Sequence, residues 1–431
     1  MPKVSVVMAS YNHEKYVAET IESVLSQTYQ DFEFIITDDG SPDGTVEVIK
    51  KFADSRIKLF CFSKNQGACT AMNNCIKEAK GEYIAVINSD DAWMPDKLEK
   101  QVKFLDEHPE KGAVFSYAEI IDDYGNDLGY AHPSNQIFRQ PNRTRFEWLR
   151  HFFLNDNCLC HPSVLIRKAC YDEMGLYDER YAQLPDFDFW IRLCMKHEIH
   201  IKPENLVKFR IHQSQASANR PENSSRHFLE LIQILKSYLN PEIMDNLLNI
   251  FPVTANINEV SISTKLNKID RDLAPFILAM VAFRVNRDAQ RYFCFDVLYQ
   301  MYSHKEIAQK LSDQYSFNFS NLVNLAWEQD IFGIVALKRA QSQLHQTEFV
   351  LEESQSQLHQ TESVLEESQS QLHQTESVLE ESQSQLHQTE SVLEESQSQL
   401  HQAQQELEQS QAQLHQTEGL LEQSQAQLHQ T

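Results

Sequence analysis

The chain has 431 residues, with 38 Lys and Arg against 62 Asp and Glu and a net charge of −24. This is too long for one ordinary domain, so two or three folded units are expected. The acidic balance excludes sequence-independent nucleic-acid binding, which needs cationic surface to displace counterions. No run approaches the roughly 18 apolar residues of a membrane span; the longest, Ala274 to Val285, is cut short by Arg284 and Arg287. The N-terminus enters Val4-Ser5-Val6-Val7-Met8 directly, without the cationic region and cleavage pattern of a signal peptide. A cytoplasmic chain is expected, and its 8 irregularly spaced cysteines read as reduced thiols.

Strand and helix patterns alternate through the first hundred residues. Val4 to Ala9 reads as a buried strand, and Glu14 to Ser26 carries apolar residues at helical spacing (Tyr16, Val17, Ile21, Val24, Leu25). Phe32 to Thr37 is a second strand, Thr45 to Phe52 a helix and Ile57 to Phe62 a third strand. Gly67 to Ala79 is helical, with Gly81 placed as a C-cap glycine would be. Tyr83 to Ile87 is a fourth strand, and Pro95 opens a helix running to Glu107. Such alternation predicts a parallel sheet covered by helices on both faces.

Beyond Gly112 the strands shorten and turns such as Asp122-Asp123-Tyr124-Gly125-Asn126 appear. Cys158 to Ile166 reads as a strand, Asp186 to Lys196 as a helix and Leu206 to Ile211 as a last strand. Cys158-Leu159-Cys160-His161 has no second half at metal-binding spacing, so it reads as structural, both thiols on one strand face. From His227 to Arg339 the pattern is helical, and no catalytic constellation stands out.

The composition breaks after Arg339, the last basic residue; from Ala340 onward there are 16 Glu and no Asp, Lys or Arg. There a fourteen-residue unit recurs, with leucine at every seventh position from Leu344 to Leu428. That spacing is a heptad signal. The second seam position is polar (Thr347, Ser354, Thr361, Ser368), and the uniform negative charge opposes self-pairing. Both a coiled coil and a solvated repeat that needs a partner follow from this pattern. The resulting organisation is 1–225 as an α/β domain, 226–339 as a helical domain and 340–431 as the repeat tail.

Two acidic turns carry the chemistry. Asp38-Asp39-Gly40-Ser41 follows the second strand and Asn88-Ser89-Asp90-Asp91 follows the fourth. Carboxylates at the C-terminal ends of parallel strands lie where open α/β sheets bind ligands. Taken alone, the Asp38-Asp39 turn also fits simple capping of the turn and following helix, which Asp and Ser commonly provide. With Ser10-Tyr11-Asn12, Ile21-Glu22-Ser23-Val24-Leu25, Asn65-Gln66-Gly67 and Pro95-Asp96-Lys97-Leu98, these runs make residues 3–110 resemble the nucleotide-binding half of family 2 glycosyltransferases, which have the GT-A fold. Weaker similarity continues through His161-Pro162-Ser163, Gly175 to Glu179 and Asp186 to Arg192.

The resemblance implies an inverting transferase that uses a UDP-, GDP- or dTDP-sugar, a Mg²⁺ or Mn²⁺ ion, and a glycan or lipid-linked acceptor. It implies a place in surface-polysaccharide or glycan synthesis, in the cytoplasm or at the inner face of the membrane. Ser10, Tyr11, Asn12, Asp39, Asn88 and Ser89 correspond to donor-binding positions, and Asp90 to the metal-binding carboxylate. Asp186 corresponds to the general base, with His161, Asp188 and His212 on the acceptor or phosphate side. Two positions depart from the family pattern: Asn88 stands where the first acid of the metal motif is expected, and Pro185 where a Glu precedes the base. These departures support an alternative, a weakly active or inactive scaffold of the same fold whose tail recruits partners. Asp91 reads as either a second metal ligand or a charge at the start of the next helix, and the latter is favoured.

Overall fold

The computed structural model describes residues 1–130, 132–215, 221–252, 270–285 and 287–327, with scattered positions of the tail between 341 and 399. The coiled coil expected over 340–431 lies mostly outside the described residues. Two compact units divide the chain: Met1–Phe283 with Asp296–Tyr315, and Arg284–Phe295 with the described residues from Ser316 onward.

The first unit opens with β1 (Val4–Ser10), α1 (Val17–Leu25), β2 (Phe32–Asp38), α2 (Thr45–Lys50), β3 (Ile57–Cys61), α3 (Ala68–Glu78) and β4 (Tyr83–Val86). β1 lies parallel between β2 and β4, and β3 extends the sheet on the far side of β2. The period-two alternation decides which residues meet which helix. Val4, Val6, Met8, Phe34 and Ile36 form one core with Val17, Ile21 and Val24 of α1. On the opposite face, Thr37 bonds Asn74 and Cys75 of α3. The expected parallel sheet with helices on both faces is therefore present over this half. The role expected of Gly81 is different: α3 ends at Glu78, and a Cβ at Gly81 would lie 2.5 Å from the Ser5 amide nitrogen. That glycine serves a close approach to β1, not a helix cap.

The second half is mixed, in the region where the sequence pattern changes. It comprises β5 (Ala92–Trp93), α4 (Lys97–Glu107), β6 (Lys111–Ile121), α5 (Pro133–Ile137), α6 (Arg145–Leu154), β7 (Leu165–Arg167), α7 (Lys168–Met174), α8 (Pro185–Lys196) and β8 (Glu198–Arg210). The eight strands run in the order β3-β2-β1-β4-β7-β6-β8-β5. β7 is antiparallel to both β4 and β6, and β8 is parallel to β6 but antiparallel to β5. The strand expected over Cys158 to Ile166 shrinks to Leu165–Arg167, and a 3₁₀ turn at His161–Ser163 precedes it. Cys158 and Cys160 therefore do not share a strand face; both are buried, and all 8 cysteines are free.

The final expected strand begins earlier, at Glu198. The helix expected from Pro95 begins at Lys97, with Asp96 as its N-cap. Helices continue through α9 (Pro221–Ser237), α10 (Pro241–Asp245), α11 (Leu247–Ile250), α12 (Ala274–Val285), α13 (Asp288–Tyr302), α14 (Lys305–Tyr315) and α15 (Phe319–Trp327). The most apolar run of the sequence is thus the helix α12, with Phe276, Leu278 and Ala279 fully buried. Among the described residues no helix is long and apolar enough to cross a membrane.

Candidate active site

The site forms where β1, β2 and β4 end. Parallel register places Ser10 directly beside Asp38. Ser10 Oγ donates to Asp38 Oδ2 at 3.0 Å, and the Ser41 amide donates to Asp38 Oδ1 at 2.9 Å. Asp38 is buried and closes the turn. Gly40 is required there, because its φ is +72° and a Cβ would meet the Lys64 carbonyl carbon at 2.6 Å.

Asp39 accepts the Gln66 and Gly67 amides at 2.7 and 2.9 Å, so it secures the entry to α3 instead of capping α2. Burial raises its carboxyl above the ordinary value, opposed by these two amides. Each carboxylate oxygen keeps a second lone pair. On the neighbouring loop Tyr11 is 42% exposed, and Asn12 has the left-handed φ of 57°. The Asn12 amide donates to Ser41 Oγ at 2.9 Å, which joins the two loops.

The same loop delivers His13, which sequence reasoning did not single out although it directly follows Ser-Tyr-Asn. Its Nδ1 lies 2.7 Å from Ser89 Oγ, and its Nε2 lies 4.0 Å from Asp90 Oδ2. On the other side, His212 Nε2 lies 3.0 Å from the same Asp90 oxygen, and its Nδ1 lies 2.7 Å from Ser214 Oγ. The ligand atoms of His13, Asp90 and His212 all fall within 4.8 Å of one another, the one cluster of this kind among the described residues.

Strand direction explains why residues so distant in sequence meet. β8 pairs antiparallel with β5 through Ala92↔Lys208 and Trp93↔Val207, so its C-terminal end runs back past Asp91 and Asp90. Arg210 seals the crossing. Its amide donates to Asp91 Oδ1 at 2.8 Å and its Nε to the Asp90 carbonyl at 2.8 Å, while its guanidinium pairs with Glu19.

Asp91 is therefore not a helix-start charge but a buried anchor between the turn and β8. Burial, with Asp90 nearby, holds its carboxyl well above the ordinary range. Asn88 Nδ2 donates to Asp91 Oδ2 at 2.9 Å. A carboxylate at position 88 would instead face another carboxylate, which supplies a physical reason for the amide.

The donor set suits a divalent cation. Each imidazole holds a hydroxyl on Nδ1 and turns Nε2 toward the carboxylate, the arrangement by which outer hydrogen bonds orient metal-binding histidines. Burial lowers the pKa of His13, against the pull of Asp90, which favours the neutral ring a metal requires. Two imidazole nitrogens and one carboxylate suit Mn²⁺ and later first-row ions better than Mg²⁺.

Asp186 sits at the second helical position of α8, half-buried, and accepts Asn157 Nδ2 at 2.7 Å. The helix N-cap is Leu184, and Pro185 occupies the first helical position, where its missing N–H costs nothing. His161 Nε2 lies 3.0 Å from the Tyr177 hydroxyl, and burial lowers its pKa against the field of Asp186. Asp188 is buried and paired with Arg192 at 2.8 Å; Arg192 also donates to the carbonyls of Met174 and Leu176. That arrangement braces the segment before α8. Asn157 and Ser214 escaped the sequence reading because single Asn and Ser residues have no local signature.

A family model described as glycosyl transferase family 2 matches residues 5–175. An uncharacterized glycosyltransferase of Methanocaldococcus jannaschii is 35% identical over 215 residues, 49% of this chain and 71% of that protein. The UDP-Glc:alpha-D-GlcNAc-diphosphoundecaprenol beta-1,3-glucosyltransferase WfaP of Escherichia coli is 33% identical over 244 residues, 55% of this chain and 87% of that one. The crystal structure of S. aureus TarS 1–349 with UDP-GlcNAc is similar at a TM-score of 0.48 and 17% identity, over 73% of this chain and 91% of that one.

Proposed function

The chain belongs to glycosyltransferase family 2, and from that premise we propose that it moves a sugar from a nucleoside-diphosphate donor to a hydroxyl acceptor with inversion, in the synthesis of a surface polysaccharide or related glycan. The observation that carries this reading is the His13–Asp90–His212 cluster, reached by the same loop that places Tyr11 and Asn12 beside the Asp38–Asp39 turn. Ser10, Tyr11, Asn12 and Asp39 would hold base and ribose, and Asn88 and Ser89 keep the phosphate-side turn in shape.

His13, Asp90 and His212 would hold the divalent cation, which when bound neutralises charge on the departing diphosphate. Asp186 accepts the acceptor hydroxyl's proton as the new bond forms. His161 helps to define the surroundings of that carboxylate. A lipid-linked acceptor fits the name of the Escherichia coli relative. Residues 1–225 carry the transfer in this reading, 226–339 support it and 340–431 serve association.

The scaffold alternative draws on Asn88 and Pro185. Asn88 has a partner in Asp91 and Pro185 a favourable helix position, so neither requires loss of activity. The test is release of nucleoside diphosphate by the full-length chain from a panel of UDP-, GDP- and dTDP-sugars, with Mn²⁺, Mg²⁺ or chelator, in the presence of undecaprenyl-diphosphate-linked sugar. Metal-dependent release from one donor class is expected. No release from any donor would favour the scaffold.

A further inference from the structure

Helix α9 lies where the sequence shows no catalytic constellation, yet it grips the segment leading into Asp186. Glu230, 8% exposed, points its carboxylate at three consecutive backbone amides. Oε1 accepts from Ala182 at 2.8 Å, and Oε2 accepts from Gln183 at 2.8 Å and Leu184 at 2.9 Å. Leu184 is the N-cap of α8 and provides no side-chain cap, and Pro185 has no amide hydrogen. The Glu230 carboxylate supplies acceptors to amides just ahead of a helix start, where intrahelical acceptors are absent. A carboxylate receiving three amide hydrogens makes charge-assisted bonds, about twice as strong as neutral ones.

One turn earlier on the same face of α9, His227 Nε2 lies 3.1 Å from Asp156 Oδ2. The next residue, Asn157, donates to Asp186 Oδ2. Helix α9 thus reaches Asp186 from two directions: through the backbone that begins α8, and through the loop that carries its hydrogen-bond donor. We infer that Glu230 is a positioning residue for Asp186, holding residues 182–184 so that the carboxylate meets the acceptor hydroxyl at reacting distance. This rests on the reading of Asp186 as the general base.

Misplacement by about 1 Å can cost roughly 10²-fold in rate. Turnover is measured on full-length protein as UDP release from UDP-glucose with Mn²⁺, or from whichever panel sugar the wild type hydrolyses. Glu230→Ala is expected to lower kcat at least about tenfold with UDP affinity unchanged. Amide exchange at 182–184 should quicken. If Glu230→Ala does not fold, Glu230→Gln, which keeps one acceptor oxygen, serves in its place.

The deciding measurement is the double variant. If Glu230 acts through Asp186, adding Glu230→Ala to Asp186→Asn lowers turnover little further. Wild-type kcat in Glu230→Ala, or losses that multiply in the double variant, would overturn the positioning role while leaving Asp186 as base. Near-normal turnover of Asp186→Asn itself would overturn the base assignment, and the positioning role with it.

Discussion

The two halves of the sheet feed one site by opposite geometries. In the parallel half every strand delivers its C-terminal loop to the same edge, so Ser10, Asp39 and Asp90 gather there as neighbours of short local motifs. In the mixed half β8 crosses β5 in the opposite sense and brings Arg210 and His212 to Asp90 from more than a hundred residues away. Parallel strand ends therefore make a site visible as motifs, whereas an antiparallel crossing makes it visible only as contacts.

The largest expected effect tests the parallel half. Asp90→Ala should abolish metal-dependent turnover while thermal unfolding remains cooperative, because a metal clamp on phosphate contributes several kcal/mol to the transition state. Near-normal turnover by the folded variant would remove Asp90 from the ion site. Next comes Asp186→Asn, which keeps the shape of the side chain but loses its basicity. A fall of about 10²–10⁴-fold in kcat with unchanged UDP affinity is expected. If calorimetry instead showed UDP affinity collapsing with kcat intact, Asp186 would be a binding group.

Whether the mixed half truly completes the ion site is tested by Ser214→Ala. It frees His212 Nδ1 and, as an outer-sphere change, should weaken Mn²⁺ affinity about 10–100-fold. Titration of Mn²⁺ against melting temperature measures this, and an unchanged midpoint would detach His212 from the ion.

A smaller effect is expected on stability. Burial lowers His151 of α6 to about 3 and His200 of β8 to about 4, from 6.5. Both folded values lie below the unfolded one, so on acidification the unfolded chain takes up these protons first. Stability from these rings is complete above pH 6.5 and is lost as pH falls toward 4. Melting temperatures at pH 7 and pH 5 should differ, and by less in His151→Gln; an undiminished difference would remove His151 from the effect.

The smallest effect, and the control, is removal of 340–431, which should leave kcat unchanged. The 7 histidines and 16 glutamates of that segment predict tighter self-association at pH 5 than at pH 8. Sedimentation of the isolated repeat as a monomer at both values would leave a partner-dependent segment.

Legibility followed the same division. The four parallel strands, their helices and the turns that hold Asp39 and Asp90 could be read because strand periodicity and strand-end turns are local properties; Asp186, on helix α8, is marked only by the resemblance of its motif. His13 was within reach, sitting next to Asn12, but a lone histidine carries no pattern until Ser89 and Asp90 are placed against it. The Cys158 to Ile166 run was misread because its buried apolar residues fit a strand, while Pro162 and Ser163 turn it into a 3₁₀ segment. Asp91 was misjudged because a buried anchor and a helix-start charge look alike in sequence.

By itself, then, the sequence determined the α/β class, the parallel half of the sheet, the two acidic turns and the composition break after Arg339, since each depends on residues near one another along the chain. Only the tertiary structure decided that β8 runs antiparallel past Asp90, that Asn88 and Asp91 form a pair, and that Glu230 grips the segment ahead of Asp186. Those contacts depend on strand direction and burial, which are set by how distant segments pack and leave no trace in the spacing of any one of them.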